Sequence, residues 1–411
     1  MSRVVSLVRV ADRSIDSAVR EAVSLAGGLE SLIDSSTSVL VKPNLWNARR
    51  SGSGSITNTA VTEAVTRLVL EHGARSVIIG DGAGAGYDGF SHSTEEAFDR
   101  AGLRDVASRL GVTLRNLNTD EFEEVDIPHA RVMHSVRIAR TALDSDVIIS
   151  VPVLKSHIRT HATLSLKNTK GVIAGAEKRK THRLGLDSAI VDLNSVVGPQ
   201  FVVLDATTGM QGLWNDPDDS IEMGLVVAGA HALSVDLVGA ALMQIEPSSV
   251  LHLRYQSERE GVAASLEGIH LVGESVEAHS RPFKTGFQVF NERYPQVTII
   301  SGESACTGCT SELVTALTYL DKAGYSPEMD GLRVVIGEVD AVEATPKLAV
   351  LGRCGRMHSD LGVYAPGCPP GEEEVIRALS KACGVDAARV LEVRDSVRQQ
   401  MWKETEENLS T

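Results

Sequence analysis

Two sets of residues in this chain are suited to chemistry: a group of cysteines near the carboxyl end and a run of lysines and histidines near the middle. Cys306 and Cys309 lie in SGESACTGCTSEL, Cys354 in VLGRC and Cys368 in APGCPP. Two thiolates one turn apart and two from separate loops suit a soft metal or an iron–sulfur cluster. Glycine or proline stands within two residues of each, which lets the backbone wrap closely around such a group. VTIIS before the first pair and KLAVLG before Cys354 read as strands, so the thiols are expected at one edge of a small α/β sheet. The same four thiolates would also suit zinc, and buried cysteines without a metal are the plain alternative. Cys383, on an amphipathic helical pattern, reads as a core residue.

The second set is Lys155 to Arg183, KSHIRTHATLSLKNTKGVIAGAEKRKTHR. It holds eight Lys or Arg and three His against one acid, Glu177, in a chain of net charge -14. It follows the apolar run SDVIISVP, which reads as a buried strand. Ligands of open α/β sheets bind at the carboxyl ends of strands, so Lys155 and His157 are placed in that crevice. A positive crevice in an acidic protein concentrates small anions such as carboxylates and phosphates. Lys155 and His157 are the acid–base candidates, since imidazole titrates near neutrality and burial lowers a lysine. Lys167 and Asn168, in LSLKNTKG, offer an ammonium and an amide to an oxyanion. His182 is a second proton carrier or a metal ligand. Lys42 and Asn44, in VKPN, would bind the same anion from a neighbouring strand end. Asp205, ending FVVLD, and Asp81, ending SVIIGD, would orient a Lys or His or hold a cation; turn and cap roles are the alternative. The KRK part reads equally well as a solvated surface loop. GDGAGAGYDG lacks a full G-x-G-x-x-G before a helix and reads as a lid or a phosphate-contacting loop rather than a dinucleotide fingerprint. His231 and Asp236 read as structural.

The elements that must carry these residues alternate. RVVSLVRV, SVLVKPN, SVIIGDG, GVTLRNL, SDVIISVPVL, FVVLDAT and GLVVAGA read as strands, with helices at Ser14 to Ala26, Thr57 to His72, Glu95 to Leu103 and Leu233 to Met243. VDIPHARVMHSVRIAR suggests a β-hairpin. The expected fold class is α/β, a mostly parallel sheet with helices on both faces plus a second, smaller α/β domain carrying the cysteines. The first domain spans residues 1–290 and the cluster domain 291–385, while 386–411 is a charged helix on the surface or in a homo-oligomer contact. Leu251 to Thr285 reads as a weakly patterned stretch containing a connector. Length, 43% apolar and 23% charged residues describe a globular protein of two or three domains. The negative charge argues against nucleic acid and against an anionic membrane surface. No apolar run is long enough to span a bilayer, and the amino terminus lacks a signal-peptide pattern, so a cytoplasmic location is expected.

CTGCTSEL, LGRC and PGCPP resemble the motifs around the proximal cluster in small subunits of nickel–iron hydrogenases. The electron-transfer subunit of respiratory complex I is similar but has adjacent first cysteines. That resemblance implies one [4Fe-4S] cluster on Cys306, Cys309, Cys354 and Cys368, and with it a redox enzyme or electron-transfer subunit needing a ferredoxin-like partner. VKPNL, GDG, SDVIISVPVLKSH, LSLKNTKG, KRKTHR and VVLDATTGMQG together resemble the domain of unknown function 362 over roughly residues 1–290. That family is thought to share its fold with the amino-terminal part of nickel-dependent lactate racemase, and a second metal, such as nickel, among the histidines stays open. NTAVTEAV departs from the Thr-x-Pro step that members often carry before the second helix. The resemblance implies a pocket without naming a reaction. A redox enzyme acting on a small anion leads; a lyase, isomerase or racemase using Lys155 and His157 is the alternative.

Overall fold

The computed structural model describes residues 3–11, 13–84, 94–212, 219–302, 305 and 307–409. By contact density the chain divides into two compact units, Met1–Val289 and Phe290–Thr411. The strands of the first are β1 (Val4–Arg9), β2 (Ser38–Pro43), β3 (Ser76–Asp81), β4 (Thr113–Asn116), β5 (Phe122–Asp126), β6 (Ser135–Ala139), β7 (Val147–Val151), β8 (Val153–His157), β9 (His161–Ala162), β10 (Phe201–Met210), β11 (Ser220–Gly229) and β12 (His270–Gly273). Those of the second are β13 (Val297–Ser301), β14 (Leu332–Ile336), β15 (Leu348–Leu351) and β16 (Val363–Ala365).

The large sheet runs β12-β1-β11-β10-β7-β2-β3-β4, with β8 beside β10 and β9 beside β8. Pairing is parallel from β10 through β7, β2 and β3 to β4. Only β11 and the short β9 run against their neighbours. The β5–β6 hairpin forms a separate antiparallel pair. Along β2, Val39 and Val41 pack on one face, with the helices Ile15–Leu25 and Thr59–Glu71, while Leu40 packs on the other, with Leu186–Val197. This alternation is the period of two that a strand covered on both sides requires. The fold is therefore α/β with helices on both faces.

Within the stretch expected to be weakly patterned, the chain forms the helix Leu251–Glu260 and then β12, which pairs in parallel with β1 at the sheet edge. An edge strand of four residues, none fully buried, shows too little periodicity to be read from the sequence.

Going from β2, the chain adds β3 and β4 on one side; β7 and then β10 lie on the other. Strand order therefore reverses between β2 and β7, which opens a crevice at their carboxyl ends. The second unit is a four-stranded, all-parallel sheet in the order β13-β14-β15-β16, packed with the helices Thr307–Lys322, Glu372–Cys383 and Ala387–Leu409.

Candidate functional site

At the reversal point, residues from several strand ends join in one hydrogen-bonded chain. Lys42, at the end of β2, places Nζ 2.7 Å from Asp81 Oδ1 at the end of β3. Its other hydrogen bonds go to Asn168 Oδ1, at 3.1 Å, and to Pro43 O. Asn168 Oδ1 also accepts from Asn44 Nδ2 at 3.1 Å, and Asn44 Oδ1 accepts from Lys155 Nζ at 2.9 Å. Lys155, on β8, donates once more to Ser55 O at 2.9 Å and stands 5.4 Å from the centre of the Trp46 ring. All of these side chains except that of Trp46 are buried. Sheet order helps to make the chain: β3 beside β2 brings Asp81 to Lys42, and Asn44, just after β2, reaches Lys155 on β8.

The two buried lysines have different surroundings. Lys42 has three acceptors for its three protons, one of them a carboxylate. Lys155 has two neutral acceptors and, among the described residues, no carboxylate partner. Burial pushes Lys155 well below the ordinary lysine range, with Lys167 adding repulsion and the charge of Asp81, without a hydrogen bond, opposing them last. Burial pushes Lys42 down as well, but there Asp81 works against it through its charge and through a direct hydrogen bond.

The remaining candidates gather around this chain. Lys167 lies on the short helix Leu164–Asn168 and makes no side-chain hydrogen bond or ion pair among the described residues; desolvation lowers it to about 8. His157 Nδ1 accepts the backbone N–H groups of Arg159 and Thr160 at 3.1 and 3.2 Å. The proton of its neutral ring is then on Nε2. Burial, with Lys167 and His182 next in effect, holds the imidazole well below its usual range, so the ring is neutral near pH 7. A neutral imidazole that presents N–H polarises a carbonyl or stabilises an oxyanion rather than accepting a proton. His182 Nε2 lies 3.0 Å from Lys170 Nζ. Asp205 accepts from Asn58 N, Thr207 N and Thr207 Oγ1. Its carboxylate thus fixes the start of the helix Thr59–Glu71 and the irregularity in β10. No lysine or histidine is among these partners.

Two contributors escaped sequence reading. Lys178, in the KRK run, is 1% exposed and donates to Gly82 O at 2.8 Å and Asn118 Oδ1 at 2.6 Å. Desolvation lowers it to about 7. The signal was helical spacing: on the helix Gly175–Leu184, Glu177, Lys178, Thr181 and His182 form the buried face. Gly171 covers the Lys42–Asp81 pair so closely that a Cβ there would fall 2.0 Å from Asp81 Oδ1 and 2.5 Å from Lys42 Nζ. Asp236, which the sequence marks as structural, is fully buried and accepts from Ser165 N and Leu166 N at 2.7 and 2.8 Å, anchoring the turn that carries Lys167 and Asn168. Leu164, which opens that turn, has φ of 52°, a conformation that needs such support. The glycine loop beyond residue 84, read as a lid or phosphate contact, lies outside the described residues up to residue 93.

In the second unit, Cys309 is in the first turn of the helix after β13, Cys354 follows β15 and Cys368 follows β16. Parallel strands put these three at the same end of the sheet. Backbone bonds Gly352 N to Ala365 O and Arg353 N to Gly367 O tie the last two loops together. Gly352 has φ of +82°, and a Cβ on it would lie 2.8 Å from Cys309 Sγ. Cys306 lies outside the described residues, and among those described no three metal-binding side chains already stand together as a site. Cys383 is buried in the helix Glu372–Cys383, with its thiol pushed up to about 11 by desolvation.

An α/β unit with a buried basic centre at the strand reversal is thus the class of protein defined by fold and site. Residues 39–241 match the family described as Domain of unknown function (DUF362). That span contains the whole basic centre and none of the cysteines. The thylakoid-associated protein sll1697 of Synechocystis sp. is 26% identical over 255 residues, which are 61% of this chain and 76% of that protein. The solved structure of the lactate racemase apoprotein from Thermoanaerobacterium thermosaccharolyticum aligns with 93% of this chain and 81% of its own at 10% identity, with a TM-score of 0.42. No helix among the described residues is long and apolar enough to cross a membrane.

Proposed function

We propose that the first unit is an enzyme of lyase or isomerase type that moves a proton on a small anionic substrate bound at the carboxyl ends of β2 and β7. The observation that carries this is the contrast between the two buried lysines: Lys42 is neutralised by Asp81, while Lys155 is left without a carboxylate. An uncharged amine is a competent base near neutrality, and a buried lysine shifted downward becomes one. Lys155 takes a proton from the substrate and returns it, either to the other face or position of the same carbon skeleton or to a departing group. His157 donates from Nε2 to the oxygen on which charge develops. Lys167 pairs with the substrate's anionic group, and Asn44 and Asn168 fix the amine and the amide donors around it.

Anion binding should then be linked to protons. The folded protein releases the Lys167 and Lys178 protons near about 8 and about 7, whereas the unfolded chain keeps them to the ordinary 10.5. The unfolded state binds more protons in between, so ligand-free stability is expected to rise with pH across that interval. A bound anion favours the ammonium forms, so protons are taken up on binding and affinity falls as pH rises through about 8. Calorimetry with inorganic phosphate and malonate in buffers of different ionisation heat measures this. Incubating small carboxylic and phosphorylated acids in D2O tests the chemistry, by following deuterium incorporation at carbon. Anion binding without Lys155-dependent exchange in any substrate tested would sink the enzymatic reading.

A second reading is supported by the close approach of Gly352 to Cys309 Sγ and the shared sheet end of Cys309, Cys354 and Cys368. With Cys306 as the fourth thiolate, these residues would hold a [4Fe-4S] cluster, which supplies one-electron transfer and calls for a ferredoxin-like redox partner. The donor set fits such a group, since four thiolates close its coordination. Anaerobic preparation is expected to yield about four irons and four sulfides per chain, with the iron lost in Cys309→Ser and in Gly352→Val. Zinc without sulfide would overturn the cluster and leave the acid–base reading of the first unit untouched.

A further inference from the structure

We infer that His182 is a dedicated hydrogen-bond donor to an oxyanion of the bound ligand, with Lys170 setting its tautomer, and is neither a proton carrier nor a metal ligand. This rests on the anionic ligand proposed above and assigns one of its contacts. Lys170 Nζ lies 3.0 Å from His182 Nε2. An ammonium has only protons to give, so Nε2 accepts, and the hydrogen of the neutral ring is on Nδ1. Lys170, Lys167 and Arg159 all repel a second ring proton, adding to desolvation. The ring is therefore neutral, with its lone pair facing Lys170 and its N–H on the other side.

That Nδ1 is buried and has no hydrogen-bond partner among the described residues. His182 as a whole is 8% exposed. A buried donor without an acceptor is costly, which points to a partner that arrives from outside the chain. The charged neighbours that act on the ring, Lys170, Lys167 and Arg159, are all cations, so the fitting acceptor is an anionic oxygen, as in a carboxylate or phosphate, rather than a neutral carbonyl. Neither a proton carrier nor a metal ligand matches this ring. The only lone pair it offers is already engaged by Lys170, and the other nitrogen is protonated.

The test uses the full chain with nitrogen-15-labelled histidine. Ring-nitrogen shifts should report His182 as neutral with its proton on Nδ1, and the Nδ1–H resonance should move on adding inorganic phosphate or malonate. His182→Asn keeps an N–H near the Nδ1 position, whereas His182→Gln places one near Nε2. Affinity for the anion should stay within about threefold in the first and fall about tenfold in the second. Unfolding midpoints of both variants show whether each is folded. If either fails to fold, Lys170→Met replaces it and is expected to shift the proton toward Nε2 with a similar loss of affinity. Equal affinities in the Asn and Gln variants, or a ring protonated on Nε2 in the parent protein, would overturn the assignment while leaving the anion site standing. If neither anion binds the parent protein, the anionic-ligand reading falls with it.

Discussion

Asp81→Asn should destabilise the protein by about 3–5 kcal/mol near neutral pH, because it removes one member of a buried ion pair and leaves the other charged. The Lys42 and Asp81 side chains are 2% and 4% exposed, and their atoms are 2.7 Å apart. Asn fills the same space without the charge, and the Gly171 backbone lies close to both groups. Asp81 Oδ2 also accepts from Leu45 N at 2.7 Å, a bond that the amide oxygen of Asn can keep in one orientation. Most of the loss is therefore the uncompensated ammonium. Desolvation already pushes Lys42 down, and without Asp81 nothing opposes it. The variant should then regain stability as pH rises, because a lysine lowered only in the folded state favours folding once its proton is gone. Lys42→Met in the same background should restore part of the loss by removing the charge altogether. Urea unfolding across the neutral to alkaline range measures all three. A cost below about 1 kcal/mol, independent of pH, would mean that Lys42 is not charged in the folded protein.

Lys155→Met should behave in the opposite way. Anion affinity is expected to fall by about 1 kcal/mol, roughly fivefold, because the uncharged amine contributes a hydrogen bond rather than a charge. Deuterium exchange into any substrate should disappear. Stability, by contrast, should hold or rise. Met fills a similar volume and relieves the desolvation of an amine that has only neutral acceptors, Asn44 Oδ1 and Ser55 O. The loss of those two donations works against this gain, so the net change is small. A strained or charged group kept at the expense of stability is a mark of function. If Lys155→Met loses several kcal/mol of stability and keeps its anion affinity, Lys155 is a structural donor, and the acid–base role passes to Lys178 or Lys167.

Much of this arrangement is determined by the sequence itself. Apolar runs of strand length ending in VKPN and GD place Lys42, Asn44 and Asp81 at the carboxyl ends of strands, and their alternation with helices requires a mostly parallel sheet; the run SDVIISVPVL, read as one strand, divides into β7 and β8, with Lys155 inside β8. VTIIS and KLAVLG likewise mark the strands before Cys309 and Cys354, whereas β16, three residues long, is not legible before Cys368. Tertiary structure decided which lysine is neutralised. Asp81 lies 39 positions from Lys42, and only the pairing of β2 with β3 brings them together, while β8 lies beside β10, away from β3. It also decided that Asp205 faces backbone and Thr207, and that Lys178, inside a charged run for which a surface loop is one of two readings, turns inward. A helix buries one face whatever its overall charge, and which face is set by what packs against it. The same principle accounts for the tautomers of His157 and His182. A ring nitrogen's proton is set by the donors that tertiary contacts bring to it, here two backbone N–H groups for one histidine and an ammonium for the other.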